Sequence, residues 1–221
     1  MSRESRTSAR RGRRLRRGLA RFAGPAARQE TRGGYRGKRL FDLAVAAPLL
    51  ALLALPMLSI ALAVRWSSPG PALFRQRRLS RGERPFTILK FRTMRVDAPR
   101  LGPAFTQEGD PRITPLGRLL RSSSLDELPQ LLNVLAGKMS LIGPRPYIGF
   151  ELQRAPRSQR LERASVPPGV TGLAQVSGRS ALTGEESLAL DLQYVRECGF
   201  ALDCRIVCRT ILVILGRRGT N

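Results

Sequence analysis

The stretch LAVAAPLLALLALPMLSIALAV, residues 43–64, decides how the rest of the chain is read. It runs 22 residues without a charge. As a helix it would be ~33 Å long, enough to cross a hydrocarbon core. Pro48 and Pro56 lie inside it, and a proline within a helix removes a hydrogen bond and bends the axis. Both flanks are basic: an arginine-rich segment precedes it, and Arg65, Arg75, Arg77, Arg78 and Arg81 follow. A spanning helix carries its excess of basic residues on the cytoplasmic side, so this pattern holds both ends on one side. Three readings stay open: a hairpin that enters one leaflet and turns back at Pro56, a full span, and a buried core helix.

Upstream, residues 1–39 hold fourteen basic side chains against Glu4 and Glu30. This segment is rich in Arg, Gly, Ser and Ala and lacks apolar periodicity, so residues 1–37 are expected to form a disordered tail. A polybasic segment beside an apolar helix is drawn to anionic membrane lipid. The whole chain, 221 residues, carries a formal charge of +23, which selects negatively charged partners. Lys38, Lys90 and Lys138 are the only lysines, so the charge is almost wholly arginine, whose flat fork suits phosphate. Nucleic acid fits less well, because aromatics are 5% of the chain and the tail offers only Phe22 and Tyr35 for base stacking.

The composition also excludes chemistry. There is no histidine, which removes Ser-His and Cys-His catalysis and imidazole metal sites. Cys198, Cys204 and Cys208 form no C-x-x-C pair and cannot complete a zinc site alone.

Downstream, residues 85–91 (PFTILKF) read as a short strand. Residues 116–120, 124–135, 185–197 and 200–215 read as helices, and 110–114, 143–146 and 166–172 as loops. Helix 200–215 has an apolar face edged by Arg205, Arg209 and Arg217, which suits either a membrane interface or an ordinary core. So few strands exclude a doubly wound sheet and predict a mainly α fold with a small β element.

Without histidine, carboxylates and arginines must carry any reaction. Asp126-Glu127 stands out. Ser124-Leu125-Asp126-Glu127 reads as a capping box that opens an apolar helix, with its acids favouring the helix dipole. The cap is the stronger reading of these residues alone, but a site is the alternative: a carboxylate is a natural nucleophile toward phosphorus, and Arg118 and Arg121 stand nearby.

Six motifs in order now resemble the bacterial sugar transferases, the monotopic polyprenyl-phosphate phosphoglycosyl transferases. They are KRLFD (38–42), KFRTM (90–94), DPRIT (110–114), SLDELPQLLNVL (124–135), MSLIGPRP (139–146) and PGVTGLAQVSGR (168–179). The resemblance covers residues 38–219. It implies transfer of a sugar 1-phosphate from a UDP-sugar to undecaprenyl phosphate with release of UMP, at the start of surface-glycan assembly. The fold it implies is a monotopic membrane-associated domain with a re-entrant helix (38–66), interfacial amphipathic helices and a cytosolic catalytic region (67–219), on the cytoplasmic face of the bacterial inner membrane. In the roles it implies, Asp126 is the nucleophile that forms an aspartyl-phosphosugar, Glu127 holds Mg²⁺, and Arg121 binds phosphate. Arg145 between Pro144 and Pro146 lies at the nucleotide or phosphate, and Lys90, Arg92, Gln175 and Arg179 belong to substrate-binding motifs. The family commonly breaks its membrane helix at Ser-Pro; here the pair is Leu55-Pro56, with Ser59 the nearest hydroxyl. A membrane-anchored basic nucleic-acid-binding protein or a non-catalytic scaffold is the competing expectation.

Overall fold

The computed structural model describes residues 34–101, 109–148, 155–178 and 182–216. The expected disorder of residues 1–33 and the position of Arg179 lie outside these residues. Residues 34–37 form a turn, and the Tyr35 hydroxyl donates to Asp203 Oδ2 at 3.2 Å.

The apolar stretch is one helix, α1 (Lys38–Ser67), about 45 Å long by its rise. By length and composition it could cross a membrane. It runs as one helix through both Pro48 and Pro56. Ser59 Oγ donates back to Leu55 O at 3.1 Å. That is the carbonyl four residues before Ser59, and not the Leu52 carbonyl that Pro56 leaves without a donor.

One stripe of α1 lies along the rest of the protein. Ala46, with Leu49, Leu50 and Leu53, packs against Phe86, Ile88, Leu131, Val134 and Met139. Further along, Met57, Ile60, Ala61 and Val64 pack with Phe91 and Leu120. The spacing of three and four keeps these on one face. The opposite face is bare: Leu52, Leu55 and Trp66 are 75, 76 and 83% exposed.

Polar contacts fix both ends of α1 to the same body. At its start, Lys38 Nζ pairs with buried Asp203 at 2.6 Å, and Asp42 accepts from Ser140 Oγ and Leu141 N at 2.9 and 3.0 Å. Arg39 donates to the carbonyls of Val134 and Leu135. At its end, Arg92 donates to the carbonyls of Val64 (3.3 Å), Ser68 (2.7 Å) and Pro69. A guanidinium there satisfies carbonyls that the helix end leaves open.

The β element is two small sheets. Strands β1 (Leu73–Leu79) and β2 (Pro85–Phe91) form an antiparallel hairpin, with Leu73 opposite Phe91 and Leu79 opposite Pro85. Strands β3 (Ser140–Ile142) and β4 (Gly169–Thr171) pair in parallel, which corrects the reading of 166–172 as loop throughout. Gly143 and Gly169 permit this pairing: a Cβ on Gly169 would stand 2.1 Å from Gly143 N.

Between the sheets run α2 (Ala98–Leu101), α3 (Pro115–Ser122) and α4 (Gln130–Leu135). After β3 come α5 (Arg157–Arg163), α6 (Leu173–Ser177), α7 (Gly184–Glu197) and α8 (Phe200–Leu215). A capping box does occur, at Thr183 and Glu186 of α7. The inner faces of α6, α7 and α8 bury Leu173, Leu190, Tyr194, Val195, Leu202 and Ile206 in one core. The outer end of α8 leaves Ile211, Leu212 and Ile214 exposed.

Candidate active site

The site is built where β2, α3 and the turn before α4 meet. Helix α3 begins at a true cap: Thr114 Oγ1 accepts from Gly117 N at 2.9 Å, with Pro115 in the first turn. Gly117 then lets the helix lie directly on the chain after β2, since a Cβ there would fall 2.0 Å from Thr93 O. One turn on, Arg121 Nε donates to Thr93 Oγ1 at 2.9 Å. Thr93 thus fixes one edge of the guanidinium and leaves its outer fork directed away from that bond.

The helix expected over 124–135 is broken. Ser124 takes a left-handed conformation (φ 59°) and caps nothing, so the capping box read in the sequence does not form. A single 3-10 turn, Leu125–Glu127, follows, and α4 starts only at Gln130. The break tips Asp126 inward, to 8% exposure, while Glu127 stays partly exposed. Asn133 of α4 secures the turn against β2. Its side-chain oxygen accepts from Leu89 N at 3.0 Å and its amide donates to Thr87 O at 2.8 Å, as a neighbouring strand would. Next along the strand after Leu89 is Lys90, whose Nζ reaches Glu127 Oε1 at 2.6 Å.

Burial raises the Asp126 carboxyl to about 6 and the charge of Glu127 adds to the shift, against the pull of Lys90 and Arg121. Burial also lowers the Arg121 guanidinium, opposed by Asp126 and Asp110. Asp110 completes the surround. It takes a forked pair from Arg112, at 2.9 and 2.6 Å, and these bonds hold its carboxyl down at about 2. Arg112 also donates to Ala98 O, and Arg95 N to Arg112 O, so the 110–114 segment is laid beside 93–95.

The structure therefore brings Asp126, Glu127, Lys90 and Arg121 together. Arg92 is turned elsewhere: its two terminal nitrogens donate to carbonyls at the end of α1. Pro144, Arg145 and Pro146 form a second neighbourhood, on the loop after β3. Both prolines are buried and Arg145 is exposed. Gln175 lies over Gly172 at the start of α6, with its side-chain oxygen buried and without a hydrogen-bond partner.

Thr93, Asn133, Asp110 and Arg112 were not singled out from the sequence. Each lies inside a motif quoted for the resemblance, but its partner is distant along the chain or, for Asp110 and Arg112, two residues away with a buried outcome that spacing does not reveal.

A magnesium ion fits this donor set. Among the described residues no three His, Cys, Asp or Glu side chains gather as a metal cage. Mg²⁺ characteristically takes one or two carboxylates and completes its shell with water and substrate phosphates. Glu127, partly exposed beside Asp126, offers that, and the crowding of two carboxylates favours a bound cation.

The sequence profile described as bacterial sugar transferase matches residues 34–217. The UDP-glucose:undecaprenyl-phosphate glucose-1-phosphate transferase of Caulobacter vibrioides is 46% identical over 189 residues, 80% of this chain and 69% of that protein. The uncharacterized sugar transferase EpsL of Bacillus subtilis is 42% identical, over 82% of this chain and 89% of its own length. A UDP-N-acetylgalactosamine-undecaprenyl-phosphate N-acetylgalactosaminephosphotransferase of Aeromonas hydrophila is 38% identical over 81% of this chain and 43% of its own. A match over most of the chain, with relatives aligned across the same region, places this protein in the bacterial sugar transferase family.

Proposed function

We propose that the chain transfers a sugar 1-phosphate from a UDP-sugar to undecaprenyl phosphate, and so starts a lipid-linked surface glycan. The observation that carries this is Asp126: a buried carboxylate held between Glu127, Lys90 and Arg121, with no histidine anywhere to act instead. Relatives named for glucose 1-phosphate and N-acetylgalactosamine phosphate transfer to the same lipid support the substrate classes.

In the mechanism, an Asp126 oxygen forms a bond to the sugar-bearing phosphorus. The bond from that phosphorus to the bridging oxygen breaks, and UMP leaves with the electron pair. An oxygen of undecaprenyl phosphate then attacks the aspartyl-phosphosugar, the Asp126–phosphorus bond breaks, and the carboxylate is restored. Burial serves this chemistry, because a weakly solvated carboxylate is a better nucleophile and fixed charges act more strongly in a dry site. Arg121, oriented by Thr93, and Arg145 bind phosphate oxygens. Glu127 would hold Mg²⁺, which would supply neutralisation of the diphosphate charge. Lys90 balances Glu127 and restrains the rise of the Asp126 pKa.

The lipid acceptor calls for a site at the membrane. Helix α1 supplies it by entering one leaflet without crossing. Both of its ends are tied to one body, which supports re-entry over a full span. The basic tail adds attraction to anionic lipid, and the catalytic region faces the cytoplasm, where UDP-sugars are made.

The test is UMP release by the detergent-solubilised protein with Mg²⁺, undecaprenyl phosphate and UDP-glucose or UDP-N-acetylgalactosamine. Release should depend on lipid and vanish in Asp126→Asn. A donor-dependent mass increase on Asp126 should appear without acceptor. Transfer that survives Asp126→Asn would overturn the assignment.

A further inference from the structure

The loop after β3 carries one exposed cation, Arg145, between two prolines. Prolines donate no hydrogen bond, so this loop must be held by its carbonyls. Four in succession are used. Pro144 O accepts from Gly169 N at 2.9 Å, Arg145 O from Arg163 Nη2, Pro146 O from Arg78 Nη1 at 3.0 Å, and Tyr147 O from Leu79 N at 3.2 Å. Three of these donors belong to the strands β4 and β1. The fourth, at Arg145 itself, is a side chain from α5.

Arg163 does three things at once. Its Nη2 grips the Arg145 carbonyl, and its guanidinium lies over the Tyr147 ring, 4.2 Å from the centroid. Its Nε meets Asp191 Oδ2 at 2.8 Å. Asp191, on α7, is fully buried, and Arg163 is nearly so. Tyr147 is tied in turn to Ser187 of α7 at 3.0 Å. A buried ion pair is a poor device for stability alone, because desolvating the charges offsets much of their attraction. A guanidinium clamped by a carboxylate is, however, a good device for direction, since its donors lie in one fixed plane.

We propose that Arg163 and Asp191 are positioning residues for donor binding. They fix the backbone at Arg145, so that its guanidinium is preset for the diphosphate of the UDP-sugar. The proposal rests on the phosphate-binding role given to Arg145 above. Its cause is geometric: a small displacement of a charged donor removes most of its benefit.

The test is the dissociation constant of UDP, by titration calorimetry on the full chain in detergent, which needs no turnover. Arg145→Ala and Arg163→Lys should each weaken UDP about tenfold, the cost of one charge-assisted phosphate contact. Lysine keeps the charge of Arg163 but loses the fork. In the double variant, Arg163→Lys should add less than twofold, because its effect passes through Arg145. Asp191→Asn should behave like Arg163→Lys, with the same lack of additivity, and decides the matter should Arg163→Lys not fold. Multiplying effects, or wild-type affinity in Arg163→Lys or Asp191→Asn while Arg145→Ala is weakened, would overturn the positioning role alone. Wild-type affinity in Arg145→Ala would overturn the reading of Arg145 and this inference with it, leaving the Asp126 chemistry to its own test.

Discussion

The Asp126 turn and the Arg145 loop each present charge to the same proposed substrate, yet their backbones are held on different terms. The turn carries a left-handed serine and a buried carboxyl raised to about 6. The loop has four consecutive carbonyls satisfied by β4, β1 and α5, and only one side chain is left outward. The first region stores instability where the proposed bond forms; the second spends its hydrogen bonds on stiffness where the proposed ligand binds. In the proposed function, reaction and recognition thus pull stability in opposite directions in two neighbourhoods.

The sharpest way to break that contrast is Asp126→Asn. Turnover should fall by at least ~10⁴, as when a covalent nucleophile is removed. Stability at pH 7 should rise by up to about 3 kcal/mol, because the raised carboxyl is an unfavourable charge in the folded state. The sign follows from the shift. The folded state holds this proton more tightly, so wild-type stability falls as pH rises from about 4 to about 6, and the asparagine variant should lack that slope. Denaturation at pH 4.5 and pH 7 measures it; equal slopes would remove the idea of a destabilised turn. In the loop region the expectation reverses. Gly169→Ala forces a Cβ to within 2.1 Å of Gly143 N and 2.3 Å of Thr171 O, and should cost ~3 kcal/mol or more. A melting temperature within a degree or two of wild type would show that the β3–β4 pairing is looser than described.

Smaller effects sharpen the comparison. Lys90→Met should move the acid limb of the rate–pH profile upward, because Lys90 is the leading charge that lowers the Asp126 pKa. Its stability should change by less than ~1 kcal/mol, as for a partly exposed pair. An acid limb that stays in place would detach Lys90 from Asp126. Ser124→Gly should raise stability by ~0.5 kcal/mol, since glycine adopts the left-handed region without a steric cost but loses more entropy on folding. A fall would mean that the serine is held by something other than its backbone.

The sequence was legible where the signal is local. Helix α1 was marked by 22 uncharged residues, and helices α7 and α8 lie within a residue or so of their expected bounds. Asp126 drew notice as one of an acidic pair, which by itself reads as a helix cap, and its burial appears only in the fold. The break at Ser124 was not visible, since Ser-x-x-Glu favours a cap and only the pull of tertiary packing on Asp126 and Asn133 defeats it. Strands of three residues, β3 and β4, are too short for alternation to register. The partners of Arg92 were not visible, because they are carbonyls 23 to 28 residues earlier in the chain. The clamp on Arg145 was hidden for the same reason: Asp191 and Arg163 are separated by 28 residues and meet only in the fold.

The tie between Lys38 and Asp203 spans 165 residues of chain. During synthesis α1 is therefore complete long before its anchor exists. At ribosomal rates of 5–20 residues per second, the delay is roughly 10–30 s. Within that interval the middle of α1 gains its packing surface, as Phe86, Phe91, Leu120 and Leu131 emerge. The order of events is set by the order of residues: the apolar stripe of α1 is covered first, and the tie at its start closes last.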